Sequence, residues 1–221
     1  MPQVTIVRKG ERHLNLRVRS EGEVMLSVPF DCTDEEIARF LKKRDARIEE
    51  KLAFFRRFAS PKAREYVSGE NVPYLGRNYR LKVIESLDEG VSLQQGYVQL
   101  FVKDRADTER KKRLLEEWYR KRAQVHLIKA TELYIPRLGV APQTVTIRRM
   151  KRRWGSCNPA TGHITLNLRL IEKPTACIEY VALHELAHLL HPNHDRAFYN
   201  FLDLHMPNWQ ERKKRLEGST G

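Results

Sequence analysis

A glutamate that follows one histidine and precedes another by three residues is a spacing with a chemical consequence. It occurs here in Tyr180-Val-Ala-Leu-His184-Glu185-Leu-Ala-His188. On a helix, His184 and His188 leave the same face one turn apart, so two imidazoles can grip a single metal ion. Glu185 stands one position round from the first, where its carboxylate can take a proton from a water polarised by that ion. A catalytic zinc keeps three protein ligands and one open position, so a third side chain is needed. His194 is the best candidate. Pro192 disfavours helix at the residue before it, and a turn at Pro192-Asn193 can bring His194 back over the metal. His191 shares the face of His184 but sits roughly 10 Å along the axis, too far for both to reach one ion through bonds of about 2 Å. The runners-up are His191, Asp195 and, from a later helix, Glu211.

The segment that carries the motif is apolar nearly all round: Ile178, Val181, Ala182, Leu183, Leu186, Ala187, Leu189 and Leu190. That pattern predicts a buried helix, in which imidazoles and a carboxylate are costly without partners. The competing interpretation is a buried helix whose histidines are hydrogen-bonded in the core. Lys173-Pro174-Thr175 predicts its start, with Pro near the first position and Thr175 a possible cap. Before it, Gly162 to Leu170 alternates as a strand does, and Trp154-Gly155-Ser156-Cys157 reads as a tight turn. The order strand, turn, helix would lay an extended substrate along an open strand edge beside the metal. After His194, Phe198, Phe201 and Leu202 predict another helix, ended by Pro207.

Further upstream, residues 3–8, 13–18 and 23–28 read as short strands, with a hairpin turn at Ser20-Glu-Gly22-Glu. Thr33-Asp-Glu-Glu36 is a capping box. It opens a helix with Ile37, Leu41, Ile48, Leu52 and Phe55 on one face and Lys42, Lys43, Arg47, Arg56 and Arg57 on the other. Strands are expected around 72–75, 79–84, 91–93 and 98–102, with turns at Gly76-Arg-Asn78 and Gln95-Gly96. A second long helix is expected over 107–135, then a loop marked by Pro136, Gly139 and Pro142, then a strand at Val145-Thr-Ile147. The fold class is α+β. The expected division is a β-rich half at 1–104 and a metal-binding catalytic half at 105–221, two halves that can also pack as one unit.

Composition bounds the partners. The 221 residues include 41 basic and 28 acidic ones, a formal charge of +13, and 41% are hydrophobic. Residues 105–153 hold 15 of the basic and 5 of the acidic ones, a net +10, just before the metal motif. Such a balance favours anionic partners, nucleic acid included, or is a plain solvated surface. Cys32, Cys157 and Cys177 are odd in number and widely spaced, which suggests a reducing compartment. The N-terminus has no apolar run of signal-peptide length, and no run of about 18 apolar residues could span a membrane. The cytoplasm is the expected location.

Several short motifs together resemble the YgjP-like metallopeptidases, relatives of the SprT-like and other zincin proteins. They are Arg153-Trp154-Gly155-Ser156-Cys157, Leu166-Asn167-x-Arg169-Leu170, Tyr180-Val181-x-x-His184-Glu185-Leu186-Ala187-His188 and Asn193-His194. Leu14-x-Leu16-Arg17-Val18, Tyr74-Leu75-Gly76 and Trp118-Tyr119 extend the likeness over nearly the whole chain. The resemblance implies a zincin-like catalytic unit with a mixed sheet and an active-site helix. It implies zinc held by His184, His188 and His194, with Glu185 as general base. Asp195 follows His194 where the family more often has serine. The motif itself specifies only water activated by a metal, so peptide hydrolysis and nucleoside triphosphate (phosphoanhydride) hydrolysis are both open. Arg148, Lys151, Arg153, Trp154 and Asn167 are candidate substrate contacts. A third possibility is a nucleic-acid-associated module with a structural metal, using the basic segment 105–153.

Overall fold

Short alternating runs pair into small mixed sheets here, and the longer runs between them form the helices. The computed structural model describes residues 4–10, 13–18, 23–58 and 64–218, with the backbone alone at 51 and 53–58. The chain is α+β, as expected, and divides into two units, Met1–Ala63 and Arg64–Gly221.

In the first unit, β3 (Val24–Val28) pairs in parallel with β1 (Val4–Arg8) and antiparallel with β2 (Asn15–Val18). Leu26 and Val28 are buried with Ile37, and Val24 with Ile48 and Leu52 of α1 (Asp34–Phe58). The capping box that opens α1 is reciprocal. The Glu36 N–H donates to Thr33 Oγ1 at 3.3 Å and the Thr33 N–H to Glu36 Oε2 at 2.9 Å. The expected turn at Ser20-Glu-Gly22 and the side chains of Phe55, Arg56 and Arg57 lie outside the described residues.

The second unit begins with a four-stranded sheet in the order β4-β5-β7-β6. Its strands are β4 (Asn71–Tyr74), β5 (Arg77–Glu85), β6 (Gly90–Gln94) and β7 (Tyr97–Val102). Two-residue hairpins join β4 to β5 and β6 to β7. Leu75 and Gly76 have φ of 47° and 79°, Gln95 and Gly96 of 50° and 81°. Two successive positive φ values match the twist of a hairpin. Asn78, expected in the first of these turns, is already in β5. Leu81, Val83, Val98, Leu100 and Val102 form one buried cluster with Leu115 and Trp118 of α2 (Thr108–Leu138) and with Ile178 and Leu183 downstream. Residues on either side of 104/105 therefore share one core. Helix α2 opens on Asp107, whose carboxylate accepts from the Arg110 N–H at 2.8 Å. It runs through Pro136 to Leu138, and Gly139 closes it in the left-handed conformation.

A three-stranded sheet follows in the order β8-β10-β9. Its members are β8 (Thr144–Arg148), β9 (Gly155–Asn158) and β10 (His163–Asn167). The segment expected as a tight turn at Trp154-Gly-Ser-Cys is thus largely an edge strand. It pairs antiparallel with β10, which pairs in parallel with β8. The strand expected to reach Leu170 stops at Asn167, whose side chain accepts from the Arg169 N–H and starts a 3-10 turn at Leu168–Glu172. Next come α3 (Thr175–Ala187), α4 (Arg196–His205) and α5 (Trp209–Glu217). Among the described residues, no helix is long and apolar enough to cross a membrane.

The β4–β5 hairpin is tied to the approach of α3. The Leu75 N–H donates to the Ile171 carbonyl at 2.8 Å and the Gly76 N–H to that of Glu172 at 3.2 Å. A Cβ on Gly76 would lie 2.9 Å from the backbone N and Cα of Pro174. Gly76→Ala adds left-handed strain of about 1–2 kcal/mol to that clash. It is expected to lower the midpoint of chemical denaturation clearly, and an unchanged midpoint would contradict the contact.

Candidate metal centre

Helix α3 is buried along Cys177, Ile178, Tyr180, Val181, Ala182, Leu183, Glu185, Leu186 and Ala187. That environment explains its all-round apolar sequence. Its C-terminal end faces a cleft, and there His184 and His188 present their rings with centroids 4.9 Å apart. The helix stops at Ala187 and unwinds through tighter turns, in which the Leu189 N–H bonds the Leu186 carbonyl at 3.0 Å and the Leu190 N–H that of Ala187 at 3.1 Å. The chain then doubles back past Pro192 and brings His194 over the pair. One nitrogen from each of His184, His188 and His194 lies within 4.8 Å of the others, an arrangement that could hold a metal ion.

The donor set suits such an ion. The Nε2 atoms of His184 and His194 face each other at 3.1 Å. Two nitrogens bound at about 2.0–2.1 Å to one tetrahedral ion stand roughly 3.3 Å apart. The His188 Nδ1–H donates to the His191 carbonyl at 3.1 Å, which leaves its Nε2 lone pair bare for a cation. His184 Nδ1 is buried with no hydrogen-bond partner, so little in the protein offsets the desolvation of that ring. Burial, aided by the neighbouring His188 and His194, pushes the His184 pKa down to about 3. Burial also lowers that of His188. Both rings are therefore neutral at physiological pH, the form that binds metals.

Glu185 is 5% exposed and lies against the edge strand β9. Only a glycine admits it there. A Cβ on Gly155 would stand 2.6 Å from Glu185 Cγ and 2.7 Å from Cδ. Burial raises the Glu185 pKa to about 8, and the Arg153 guanidinium pulls it partly back. A dication beside the carboxylate would pull it further down. Cys157 lines the same cleft, and burial with the Glu185 charge pushes its thiol up to about 11, so it is no thiolate nucleophile.

Phe198 is a member of this site that sequence reasoning treated only as a helix marker. It is fully buried and touches all three rings. Its centroid is 4.8 Å from His188 in a stacked pose, and 5.0 and 4.7 Å from His184 and His194 edge-on. Asp195 caps α4 by accepting from the Phe198 N–H at 3.0 Å, so this runner-up ligand instead fixes the aromatic floor. His191 packs on Phe201 and contributes its carbonyl to His188. Glu211 is exposed in the first turn of α5.

The candidate substrate contacts separate. Arg153 lines the cleft with His184, Glu185, His188 and His194. Arg148 lines a different depression, with Glu116, Arg120 and Arg149. Lys151 is exposed on the intervening bend. Trp154 packs on the core, with the Lys173 ammonium 5.3 Å above its ring. Asn167 is fully buried and its amide is occupied by backbone. It donates to the carbonyls of Met150 (2.9 Å) and Arg153 (2.8 Å) and accepts from the N–H of Met150 and Arg169. Asn167 is thus corrected from a substrate contact to a clamp on the loop before β9. Gly155, by contrast, carried its signal inside the Trp-Gly-Ser-Cys motif.

Gly155→Ala is expected to displace the Glu185 carboxylate while the imidazoles stay in place. Metal titration would then give the wild-type affinity, and the step that needs Glu185 would slow on the order of a hundredfold. Loss of the ion itself would contradict this placement.

A search of curated proteins found no match. Among solved structures, the chain is similar to the metallopeptidase zymogen of Methanocaldococcus jannaschii jannalysin. The identity is 22% and the TM-score 0.36, over 39% of this chain and 89% of that one. Residues 12–219 match the family described as YgjP-like, metallopeptidase domain, and the chain, a metal-dependent hydrolase, belongs to that family.

Proposed function

We propose that the protein is a zinc-dependent peptidase in which His184, His188 and His194 hold the ion and Glu185 is the general base. The observation that carries this reading is the convergence of three imidazole nitrogens beside a carboxylate packed on the glycine of an edge strand. A divalent ion at the imidazoles would lower the pKa of water and polarise a carbonyl oxygen. Glu185 then accepts the proton of the attacking water and delivers it to the leaving amine. Strand β9 offers its outer backbone edge to an extended peptide, which brings the scissile carbonyl to the histidines. Phe198 and the His191 carbonyl hold the ring planes, so little reorganisation accompanies the reaction.

A nucleoside triphosphate would need several cations around the ion to neutralise its phosphates. Arg153 is the single basic residue that lines the cleft among the described residues, and that favours the peptide. A structural metal would be closed by a fourth side chain, whereas the described cluster comprises three imidazoles with space beside Glu185. The free cysteines Cys32, Cys157 and Cys177 support a reducing compartment such as the cytoplasm.

Glu185→Gln is expected to keep the ion and lose peptide hydrolysis by a factor on the order of a hundred to ten thousand. Metal analysis beside a peptide and denatured-protein panel reads both, and unchanged turnover would remove the mechanism. His194→Ala is expected to lower zinc content after dialysis, and full occupancy in that variant would mean the third ligand is another residue.

A further inference from the structure

A basic track leads away from the cleft along one end of the three-stranded sheet. Arg153 stands in the cleft itself. Lys151 is exposed on the bend before it, and Arg149, Arg148 and Arg120 gather round the next depression. That depression holds three guanidiniums against the one carboxylate of Glu116, which lies 3.6 Å from Arg149. The loop between Arg149 and Arg153 is held in shape. The buried Asn167 amide ties down the backbone at Met150 and Arg153, so the stretch that carries Lys151 is anchored at both ends, which lowers the cost of ordering it on a ligand.

Antiparallel addition to the edge strand β9 would give the track a direction. β9 runs from Gly155 to Asn158, and Glu185 packs on Gly155. A chain lying antiparallel to β9 runs from Asn158 towards Gly155. The bond beside Glu185 is then cut at the Gly155 end, and the chain beyond it leaves over Arg153 and Lys151. We propose that this track selects substrates with acidic residues on the C-terminal side of the scissile bond. The inference rests on the peptidase reading and adds a substrate class to it. The closed backbone around Asn167 leaves side-chain charge as what the loop offers, which suits carboxylates on an extended polypeptide.

Two peptides of one sequence, differing only in Asp/Glu or Ser/Gln at the positions after the cleavage site, test it with zinc-loaded protein. The acidic peptide is expected to be preferred by about tenfold in kcat/KM, carried by KM, since a few exposed pairs each add a small increment. The preference should fade as salt is raised and vanish or invert in Arg149→Glu/Lys151→Glu. Equal cleavage of both peptides by the wild type, or an undiminished preference in the folded variant, would overturn the proposal. If neither peptide is cut, the peptidase reading has failed. Binding of the labelled peptides to Glu185→Gln protein then decides the track by itself, with preferential, salt-sensitive capture of the acidic one expected and equal binding overturning it. A short single-stranded DNA that binds through Arg149 and Lys151 while peptide selectivity is absent would assign the surface to nucleic acid instead.

Discussion

Drawing a carboxylate and two imidazoles partly out of water at the end of an otherwise apolar helix, beneath a third imidazole that stays exposed, is the constraint on which the second unit depends. Each group answers the cost of the others. Without a cation, burial leaves Glu185 with a pKa near 8, so it would carry its proton at neutral pH. The same burial keeps His184 neutral, with its pKa near 3. A dication would reverse the first effect and use the second: the neutral rings could bind it, and the carboxylate would lose its proton to the positive charge beside it. The site is thus arranged for an ion, and base strength and ligand readiness come from one low-dielectric pocket.

Much of this was legible because it is local. The spacing of His184, Glu185 and His188 places them on a helix with no reference to the rest of the chain. Pro192 forces the return that brings His194 back. The capping box at Thr33 and the hairpin at Gln95-Gly96 are likewise contained within a few residues. What escaped is what depends on partners distant in sequence. Gly155-Ser-Cys-Asn has no alternation of apolar residues, and it becomes a strand because β10 offers a backbone edge. Phe198 looks like any core aromatic until three rings converge on it. The core shared by the β4–β7 sheet and the later helices could not be read from a composition shift near residue 104, since burial against α2 and α3 is a tertiary fact. Among the basic residues, charge alone could not separate Arg153, in the cleft, from Arg148, outside it.

The segment from His188 to Phe198 shows how few residues build the return. His191, a runner-up for the third ligand, supplies the carbonyl that sets the tautomer of His188. Asp195, where the family more often has serine, caps α4 and thereby positions Phe198. Both residue types are good N-caps, so the departure from the family pattern preserves the helix start. His194 is exposed, yet it is held between a proline turn and a capped helix, which limits its freedom without burying it.

Asn167 carries the same logic to the other side of the cleft. One buried amide closes the loop at Met150 and Arg153 and starts the 3-10 turn at Arg169. That turn leads through Ile171 and Glu172, whose carbonyls hold the β4–β5 hairpin, into the first residues of α3. An apolar residue at 167 would take this donor away from the carbonyls of Met150 and Arg153 and loosen the loop they hold. The placement of Gly155 against Glu185 and the start of α3 therefore share a single anchor. The edge strand and α3 are fixed to each other through the sheet end, not only by the packing between them.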